Sequence, residues 1–443
     1  MKKNLGFFIL LAGLSLSAQD ASAPHTIQAE NSASLNADMQ ETQPISSGQL
    51  MEQAFETYRK ERGIAAYGSP NARGTTYFTG QASVAANSNS PDFIKSRSAA
   101  FMRAYQDAVA KMVMDRVGKE MTTSLAEVYS DNFTDAEELP KDLAESRSVF
   151  LKKIEALGET AIDKALRQMD VDPAKYADKN LEAKKDVYKK ALVKKSVRSA
   201  VDSSSGFLPV QTFESRSSDG TYTIGVVLRS DADCEEIARC ISRKQRPLIA
   251  SGNGLTIDQA LPSDEELLTQ FGVRVFFDES GSPSLLSFGQ YGSAYTGNDT
   301  RQRERAMEHA RRQAENIADT QLTEFINSTI SIEESSEIGE EELSRIFFQA
   351  DGTKVRKEIL NCIDRYSSRS KTTGFDTMVG RSTVCSRTLT HPAGHQVAVV
   401  IRRWSFAKLN AEQNVQQKRI EKQNIPVNKK EDSGVRKGRS YDF

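Results

Sequence analysis

Two histidines have the spacing of a zinc-protease motif. His391 and His395 stand four residues apart, which on a helix places both imidazoles on one face. A proline and a glycine lie between them and break the helix that such a site needs. We therefore predict a turn that exposes both rings, and no metal site. His25 lies in a polar spacer, and we expect His309 at the solvent edge of a helix.

Carboxylate pairs are the residues that a glycoside hydrolase would use. Asp278-Glu279 and Glu333-Glu334 are adjacent in the sequence, but hydrolase carboxylates come from distant points in a fold, so adjacency does not identify them. An acidic cluster between Glu337 and Glu342 lacks the ligand spacing of a calcium loop and suits the start of a surface helix. The sequence has no Gly-x-Ser-x-Gly elbow and no Walker-type phosphate loop. It predicts no catalytic, cofactor-binding or metal-binding residue.

The four cysteines are candidates for disulfides if the chain is exported, because their number is even. Cys362 and Cys385 flank a segment of strand-rich composition, and a hairpin there would bring them together. Closing that loop would stabilise the fold by roughly 3 kcal/mol in the chain-entropy model. Cys234 and Cys240 bracket a helical-looking segment that separates their Cα atoms by about 9 Å, beyond bridging range. They pair only if that segment is a loop or a broken helix.

The charge distribution bears on possible partners. Charged residues make up 27% of the chain and the net charge is −1, which argues against a general nucleic-acid or anionic-membrane binder. Aromatic residues are few, with Trp404 the single tryptophan, so the chain offers few rings on which bases or sugars could stack. The run Lys184–Lys195 is strongly basic. We interpret it as a solvated helix face, with an anion-binding surface as the alternative.

These residues stand on a chain that repeats itself. A Gly-Ser-Pro turn, a Gly-Gln pair and an alanine-striped helix occur in the same order twice, and the helical positions match at an offset of 206 residues. Such self-similarity predicts a tandem of two related modules. The matching positions are Gly68-Ser69-Pro70, Gly80-Gln81, Arg97, Ala100, Ala104 and Ala108 in the first copy, and Gly281-Ser282-Pro283, Gly289-Gln290, Arg303, Ala306, Ala310 and Ala314 in the second.

The expected fold class is α+β, with each module a long helix packed on an antiparallel sheet. Each module begins with an amphipathic helix and ends in an apolar strand, Ile224–Arg229 or Val397–Arg402, that we expect to be buried on both faces. We also predict strands over Val197–Ser217, Leu285–Gln290 and Arg381–Thr390, and a helix that starts at a capping box of Ser263 and Glu266. The predicted boundaries are 1–23 signal peptide, 24–46 disordered spacer, 47–232 first module with a helical insertion at 134–196, 233–262 linker, 263–406 second module and 407–443 charged tail.

The N-terminus predicts export. Lys2 and Lys3 precede the mostly apolar run Leu5–Leu16, and small residues near Ala18 and Ala23 offer cleavage positions. The run reaches only about 18 Å as a helix, too short for a hydrocarbon core of about 30 Å. A buried N-terminal helix is the alternative. We expect a periplasmic or secreted protein without a transmembrane segment in its mature chain.

The modules resemble the lipoprotein-20-like family of bacterial envelope proteins and are similar to the N-terminal module of flagellar assembly protein T. The likeness rests on Gly80-Gln81, Gly289-Gln290, the Arg-x-x-Ala-x-x-x-Ala helices and the closing strands. It implies an envelope protein and carries over no catalytic residue. The chain departs from the lipoproteins because its N-terminal region holds no cysteine to lipidate.

The resulting functional hypothesis is a non-catalytic binding or assembly protein of the bacterial envelope. Its expected partner is an envelope protein or a glycan, with no nucleic acid and no cofactor. A hydrolase that acts on envelope polymers with carboxylates from loops is the alternative. The sequence leaves the molecular role and the oligomeric state open.

Overall fold

The computed structural model describes residues 45–130, 143–202, 206–243, 245, 247–249, 254–293, 295–327, 347–348, 380–411 and 414–415. The described residues all belong to one compact unit. The predicted signal peptide lies outside them, as do most of the spacer and most of the charged tail. None of the described helices is both long and apolar enough to cross a bilayer.

The first sheet has three antiparallel strands. Its elements are α1 (Ser47–Glu61), β1 (Thr76–Ser83), α2 (Phe93–Ser130), β2 (Leu208–Arg216) and β3 (Tyr222–Ser230). The strand order is β1-β3-β2, with β3 in the centre. Because β3 contacts a helix on each side, nearly all of its side chains are buried, which confirms the prediction of burial on both faces.

In the part of the chain that the structure describes, the second sheet has four antiparallel strands in the order β4-β5-β7-β6. Its elements are α8 (Asp264–Thr269), β4 (Gly272–Phe277), β5 (Pro283–Gly292), α9 (Thr300–Asn327), β6 (Arg381–Thr390) and β7 (Gln396–Ser405). The helix α8 begins with a capping box in which Ser263 and Glu266 bond each other's backbone. Long helices on two separate antiparallel sheets confirm the α+β class.

The insertion in the first module is helical, and its last helix ends later than predicted. It comprises α3 (Leu143–Ala156), α4 (Glu159–Gln168), a 3₁₀ turn at Pro173–Tyr176 and α5 (Leu181–Asp202). The predicted strand from Val197 is wrong at its start, since 197–202 continue α5 and β2 begins at Leu208. Leu192, Val193 and Ala200 are buried at helical spacing, and this tertiary packing outweighs the strand preference of β-branched residues.

The predicted linker at 233–262 contains packed structure. Helix α6 (Ala232–Ser242) begins at Asp231, whose carboxylate accepts from the Cys234 N–H at 2.9 Å. It buries Ile237 and Ala238 and packs against α9. A short helix, α7 (Ile257–Ala260), follows before α8. Helix α6 is therefore part of the core, and the boundaries of the modules and of the linker remain predictions.

A glycine in each sheet lets a helix lie directly on the strand. A Cβ on Gly80 would overlap the carbonyl oxygen of Ala104, and one on Gly289 would overlap that of Ala314. The 206-residue offset pairs Ala104 with Ala310, so the contact on α9 lies one helical turn beyond the position that the repeat predicts. Alanines spaced every four residues look the same after a shift of four, and the stripe therefore cannot define its own register.

The closing strands show a similar slip. Gly80 pairs with Val226 in β3, and Gly289 pairs with Val400 in β7. The sequence alignment matches Val226 with Val399, one residue earlier. An almost continuous apolar strand has no alternation to set its face, and a slip of one residue exchanges the two faces. Arg403 therefore takes the position that corresponds to Arg229, while Arg402 bonds Asp319 of α9 at 2.9 Å.

One hydrophobic core spans both sheets. Phe101 of α2 stacks on Phe271, which precedes β4, with ring centroids 5.0 Å apart and planes 16° apart. Beside them, Gly272 has a φ of 82° and lies against Pro209 of β2. Ile94 packs on Gly292 at the end of β5. The junction between the sheets is therefore packed with apolar side chains, apart from the polar residues described next.

Candidate functional site

Arg97 is the centre of a buried polar cluster between the two sheets. Its side chain is fully buried on α2 and forms a bidentate pair with Glu214 of β2, with N–O distances of 2.7 and 2.8 Å. It also donates to the carbonyl of Leu268 at 2.9 Å, and its guanidinium lies 5.5 Å from the Phe271 ring centroid. One arginine from the first sheet unit thus contacts both sheets.

Gln290 is the partner of Arg97 from the second sheet. Its side chain is fully buried, and its amide nitrogen donates to the carbonyls of Leu267 and Gln270 at 2.8 and 2.7 Å. Its amide oxygen faces Arg97 at 3.4 Å. The Gly-Gln pair has different roles in the two copies, because Gln81 is part-exposed and bonds Glu52 at 2.6 Å.

His391 completes the cluster. The structure has the predicted turn between β6 and β7, but the prediction that it exposes both imidazoles is wrong. His391 is 3% exposed and packs against Phe93; His395 is half-buried and donates to the Ser88 carbonyl at 2.6 Å. Both rings are covered because the turn docks on the start of α2, a contact that the turn's own residues do not encode.

The hydrogen bonds define the state of the cluster. His391 Nδ1 accepts from the Ala393 N–H at 3.0 Å, so its proton lies on Nε2, which faces Glu214 at 3.3 Å. Burial raises the pKa of Glu214, but the hydrogen bond from His391 and the charge of Arg97 outweigh it and lower that pKa to about 2. The carboxylate is ionised at neutral pH and fully engaged. The cluster is therefore suited to joining the sheets rather than to transferring protons.

An open cleft of about 320 Å³ lies beside this junction. Its walls come from the start of α2, the end of β5 and the first half of α9, and its lining includes Tyr291, Tyr295, Lys95, His309, Ala306 and Asp92. The Tyr291 ring meets the exposed His309 ring edge-on at 6.4 Å. Asp92 is the one carboxylate in the described lining, so the cleft lacks the pair that the hydrolase alternative requires.

The basic run on α5 is a set of ion pairs, and its interpretation as a solvated face is wrong for its first lysines. Lys184 and Lys185 are buried. Lys184 lies 3.1 Å from both Glu159 and Asp163 of α4. Hydrogen bonds to Asp163 and Glu159 raise the pKa of Lys184. The Lys184 ammonium ties α5 to α4, and that of Lys185 ties α5 to Glu155 of α3, so neither is available to an anionic partner.

No disulfide joins the three cysteines that the structure describes. Cys234 and Cys240 are buried on α6. Burial raises the pKa of both thiols, that of Cys240 to about 11, so they stay protonated and weakly nucleophilic at neutral pH. Cys385 is half-buried in β6. Its predicted partner Cys362 lies outside the described residues, and that pairing remains a prediction.

Asp278 is the member of the predicted acid pairs whose contacts the structure describes. Asp278 closes a turn before β5, where it accepts from Ser280 and Ser284 at 2.6 and 2.9 Å. Glu333-Glu334 and the acidic cluster that follows lie outside the described residues. The described residues contain no group of three or more His, Cys, Asp or Glu placed to hold a metal ion.

Sequence reasoning missed Glu214 and Gln290 as partners of Arg97. Both stand in strands that the sequence indicated, but their pairing requires the two sheets to meet at α2. The one usable indication was Gln290 in the repeated Gly-Gln motif. Nothing in the sequence marks Glu214, because an acidic residue in a strand usually faces solvent.

Together, the two antiparallel sheets and the saturated junction define an α+β protein with an internally repeated architecture. A family profile for a domain of unknown function (DUF6844) matches residues 147–243. The match begins in α3 and ends after α6, so it includes most of the described insertion, the β2–β3 hairpin and the first part of the predicted linker.

A solved structure with a similar fold is that of a hypothetical protein from Francisella tularensis. It is 22% identical, with a TM-score of 0.51, and the alignment covers 84% of this chain and 94% of that one. At this identity the likeness concerns the fold alone. No curated protein matches the chain.

Proposed function

We propose that this protein is a non-catalytic binding or assembly component of the bacterial cell envelope. The observation that carries the proposal is the saturation of the junction cluster. Glu214 and His391 carry groups that acid–base chemistry uses, but inside the fold Glu214 is bonded to both His391 and Arg97. Their role is to hold two sheets together, which leaves the open cleft and the outer faces for a partner.

The N-terminal sequence supports the location. Lys2, Lys3 and the apolar run Leu5–Leu16 have the composition of a secretory signal. The resemblance to lipoprotein-20-like modules and to the N-terminal module of flagellar assembly protein T agrees with an envelope role. The repeated helix-on-sheet unit is the part of the chain on which that resemblance rests.

Cell fractionation tests the location. The full chain with a C-terminal tag is produced in a bacterial host, and the periplasmic and cytoplasmic fractions are compared. We expect a shortened mature chain in the periplasm, and full-length chain in the cytoplasm for Leu10→Arg, which interrupts the apolar run. Leu248→Arg, at a position 97% exposed, is the matched control and should be exported normally.

Crosslinking in the same cells tests the binding role. We expect the tag to recover the same envelope protein or glycan in repeated experiments. Full-length wild-type chain in the cytoplasm would refute the location. Export without any reproducible envelope partner would refute the binding role.

A further inference from the structure

The first half of α9 carries a positive patch that the sequence charge did not reveal. Five arginines and two glutamates stand between Thr300 and Arg312, in a chain whose net charge is −1. Arg311 and Arg312 both approach Glu308, at 3.8 and 3.4 Å. The remaining three arginines are all exposed; they are Arg301, Arg303 and Arg305.

These three guanidinium groups differ from the lysines of α5. None of them has an ion-pair partner among the described residues, and Arg303 makes one long bond of 3.4 Å to the Gly297 carbonyl. The nearby Asp299 carboxylate already accepts from the Arg301 and Gln302 N–H groups at 2.8 and 3.1 Å. The exposed cations that could bind an anion therefore lie on α9, whereas Lys184 and Lys185 of α5 are buried.

Two of these arginines lie on the side of α9 that meets the cleft. Arg301, Arg305 and His309 stand four residues apart and share one face of the helix, whereas Arg303 points to another side. Ala306 and His309 form one wall of the cleft, and Lys95 of α2 adds a further exposed cation. Small residues at Ala306 and Gly292 leave the space open, and a volume of about 320 Å³ is at the lower end for ligand sites. The site suits a short ligand rather than a folded domain.

The lining also contains the groups that recognise sugars. Tyr291 and Tyr295 are half-buried, so each combines a fixed ring with a hydroxyl group. A ring offers a flat apolar surface to the C–H face of a sugar, and hydroxyl, imidazole and carboxylate groups pair with its hydroxyls. The chain has only twelve tyrosines. Because the average aromatic content is low, composition alone did not indicate that two of them line one cleft.

We propose that the cleft together with Arg301 and Arg305 binds an acidic glycan, with a sugar ring against the tyrosines and its carboxylates on the two arginines. The inference names a ligand class for the proposed binding role and rests on it. Fractionation tests the envelope role, whereas titration of the purified chain tests the ligand, so the two can fail separately.

The titration compares a charged and a neutral trisaccharide by calorimetry. Trigalacturonate should bind the mature chain, with an affinity that falls as salt rises, and maltotriose should bind at least about tenfold more weakly. The double variant Arg301→Gln, Arg305→Gln should weaken trigalacturonate binding by about tenfold or more. The control double variant Lys175→Gln, Lys179→Gln removes the same charge from exposed positions and should change it less than about twofold.

A second pair of variants tests the cleft. Ala306→Phe should fill it and weaken trigalacturonate binding about tenfold, and His309→Ala serves if the larger side chain disturbs folding. Unchanged binding in a folded cleft variant overturns the assignment to the cleft. Equal effects of the two double variants, or no binding by wild-type chain at about 10 mM trigalacturonate, overturn the proposal. Tighter binding of a short oligothymidylate than of trigalacturonate overturns the glycan class.

Discussion

Arg97 and Arg303 match in the sequence repeat but have different environments in the structure. In the sequence it is one of a pair with Arg303, both placed before an alanine stripe. In the structure the alanine contact lies one turn further along α9, so the position corresponding to Arg97 is Met307, and Arg303 is exposed. Loss of the partner carboxylate would leave the buried Arg97 charge uncompensated and would destabilise the fold. The exposed Arg303 is solvated by water and does not depend on such a partner.

Removing Glu214 should be the most damaging single change at the junction. Glu214→Ala leaves the fully buried Arg97 without its carboxylate and should lower the free energy of unfolding by about 3–5 kcal/mol in urea titration. Glu308→Ala, which breaks an exposed pair, should cost less than about 1 kcal/mol. The double variant Arg97→Leu, Glu214→Leu should be more stable than Glu214→Ala; a lower stability would contradict the unpaired-charge explanation.

Acid should weaken the fold through Glu214. Its pKa is lowered from about 4.5 to about 2, so the folded state favours the ionised form. That stability is present above about pH 4.5 and is lost as the pH falls towards about 2, with a total of about 3 kcal/mol. Urea titrations of wild type and Glu214→Gln between pH 6 and 3 should converge at the acid end. A constant difference across this range would show that Glu214 titrates normally.

At the scale of the elements, the repeated glycines fix each long helix on its sheet. Helix α2 lies on β1 at Gly80, and α9 lies on β5 at Gly289, each with no room for a side chain. The repeat identified both glycines and both helices correctly. It could not identify the alanine that each glycine contacts. The alanines recur every four residues, so an alignment shifted by four residues matches them equally well.

Adding one methyl group at these contacts should be costly. Gly80→Ala and Gly289→Ala should each lower the free energy of unfolding by at least about 2 kcal/mol, since the new Cβ meets helix backbone that cannot move aside. Gly48→Ala is the matched control in α1, where the nearest atom lies 3.9 Å away. It should be neutral or stabilising by up to about 1 kcal/mol. Equal losses at Gly48 and Gly80 would contradict the close-packing argument.

Elements that depend on local sequence were predicted well. Ser263 and Glu266 form the capping box that starts α8, and β6 occupies Arg381–Thr390 as predicted. Elements whose ends depend on distant contacts were not. The last turn of α5 was predicted as strand. The segment between Cys234 and Cys240 was expected to look helical, but the burial of Ile237 and Ala238 of α6 in the core was not.

At the scale of the whole molecule, the two sheets are joined rather than merely adjacent. Phe101 and Phe271 stack across the junction, Arg97 reaches Gln290, and α6 packs on α9. Such a continuous core should unfold cooperatively. Trp404, the single tryptophan, is buried in β7 of the second sheet and reports on that part alone.

A substitution in the first sheet unit should therefore be visible at Trp404. Met51→Ala empties a fully buried position on α1 and should cost about 2–5 kcal/mol. The urea midpoints from Trp404 fluorescence and from far-UV circular dichroism should fall together. Gln53→Ala, exposed on the same helix, should leave both midpoints unchanged. A Trp404 midpoint that stays in place while the dichroism midpoint falls would show two independent units.

The sequence by itself determined the α+β class, the helix caps, the apolar closing strands and the repeat, because each is written in neighbouring residues or in periodicity. Only the tertiary structure decided the register between the copies, the burial of His391 and Lys184, and the pairing of Arg97 with Glu214 and Gln290. These features depend on which surfaces pack together, and a periodic stripe or a lone charged residue is compatible with several packing arrangements. Close backbone contact at Gly80 and Gly289, and the polar partners available inside the shared core, allow only one of these arrangements.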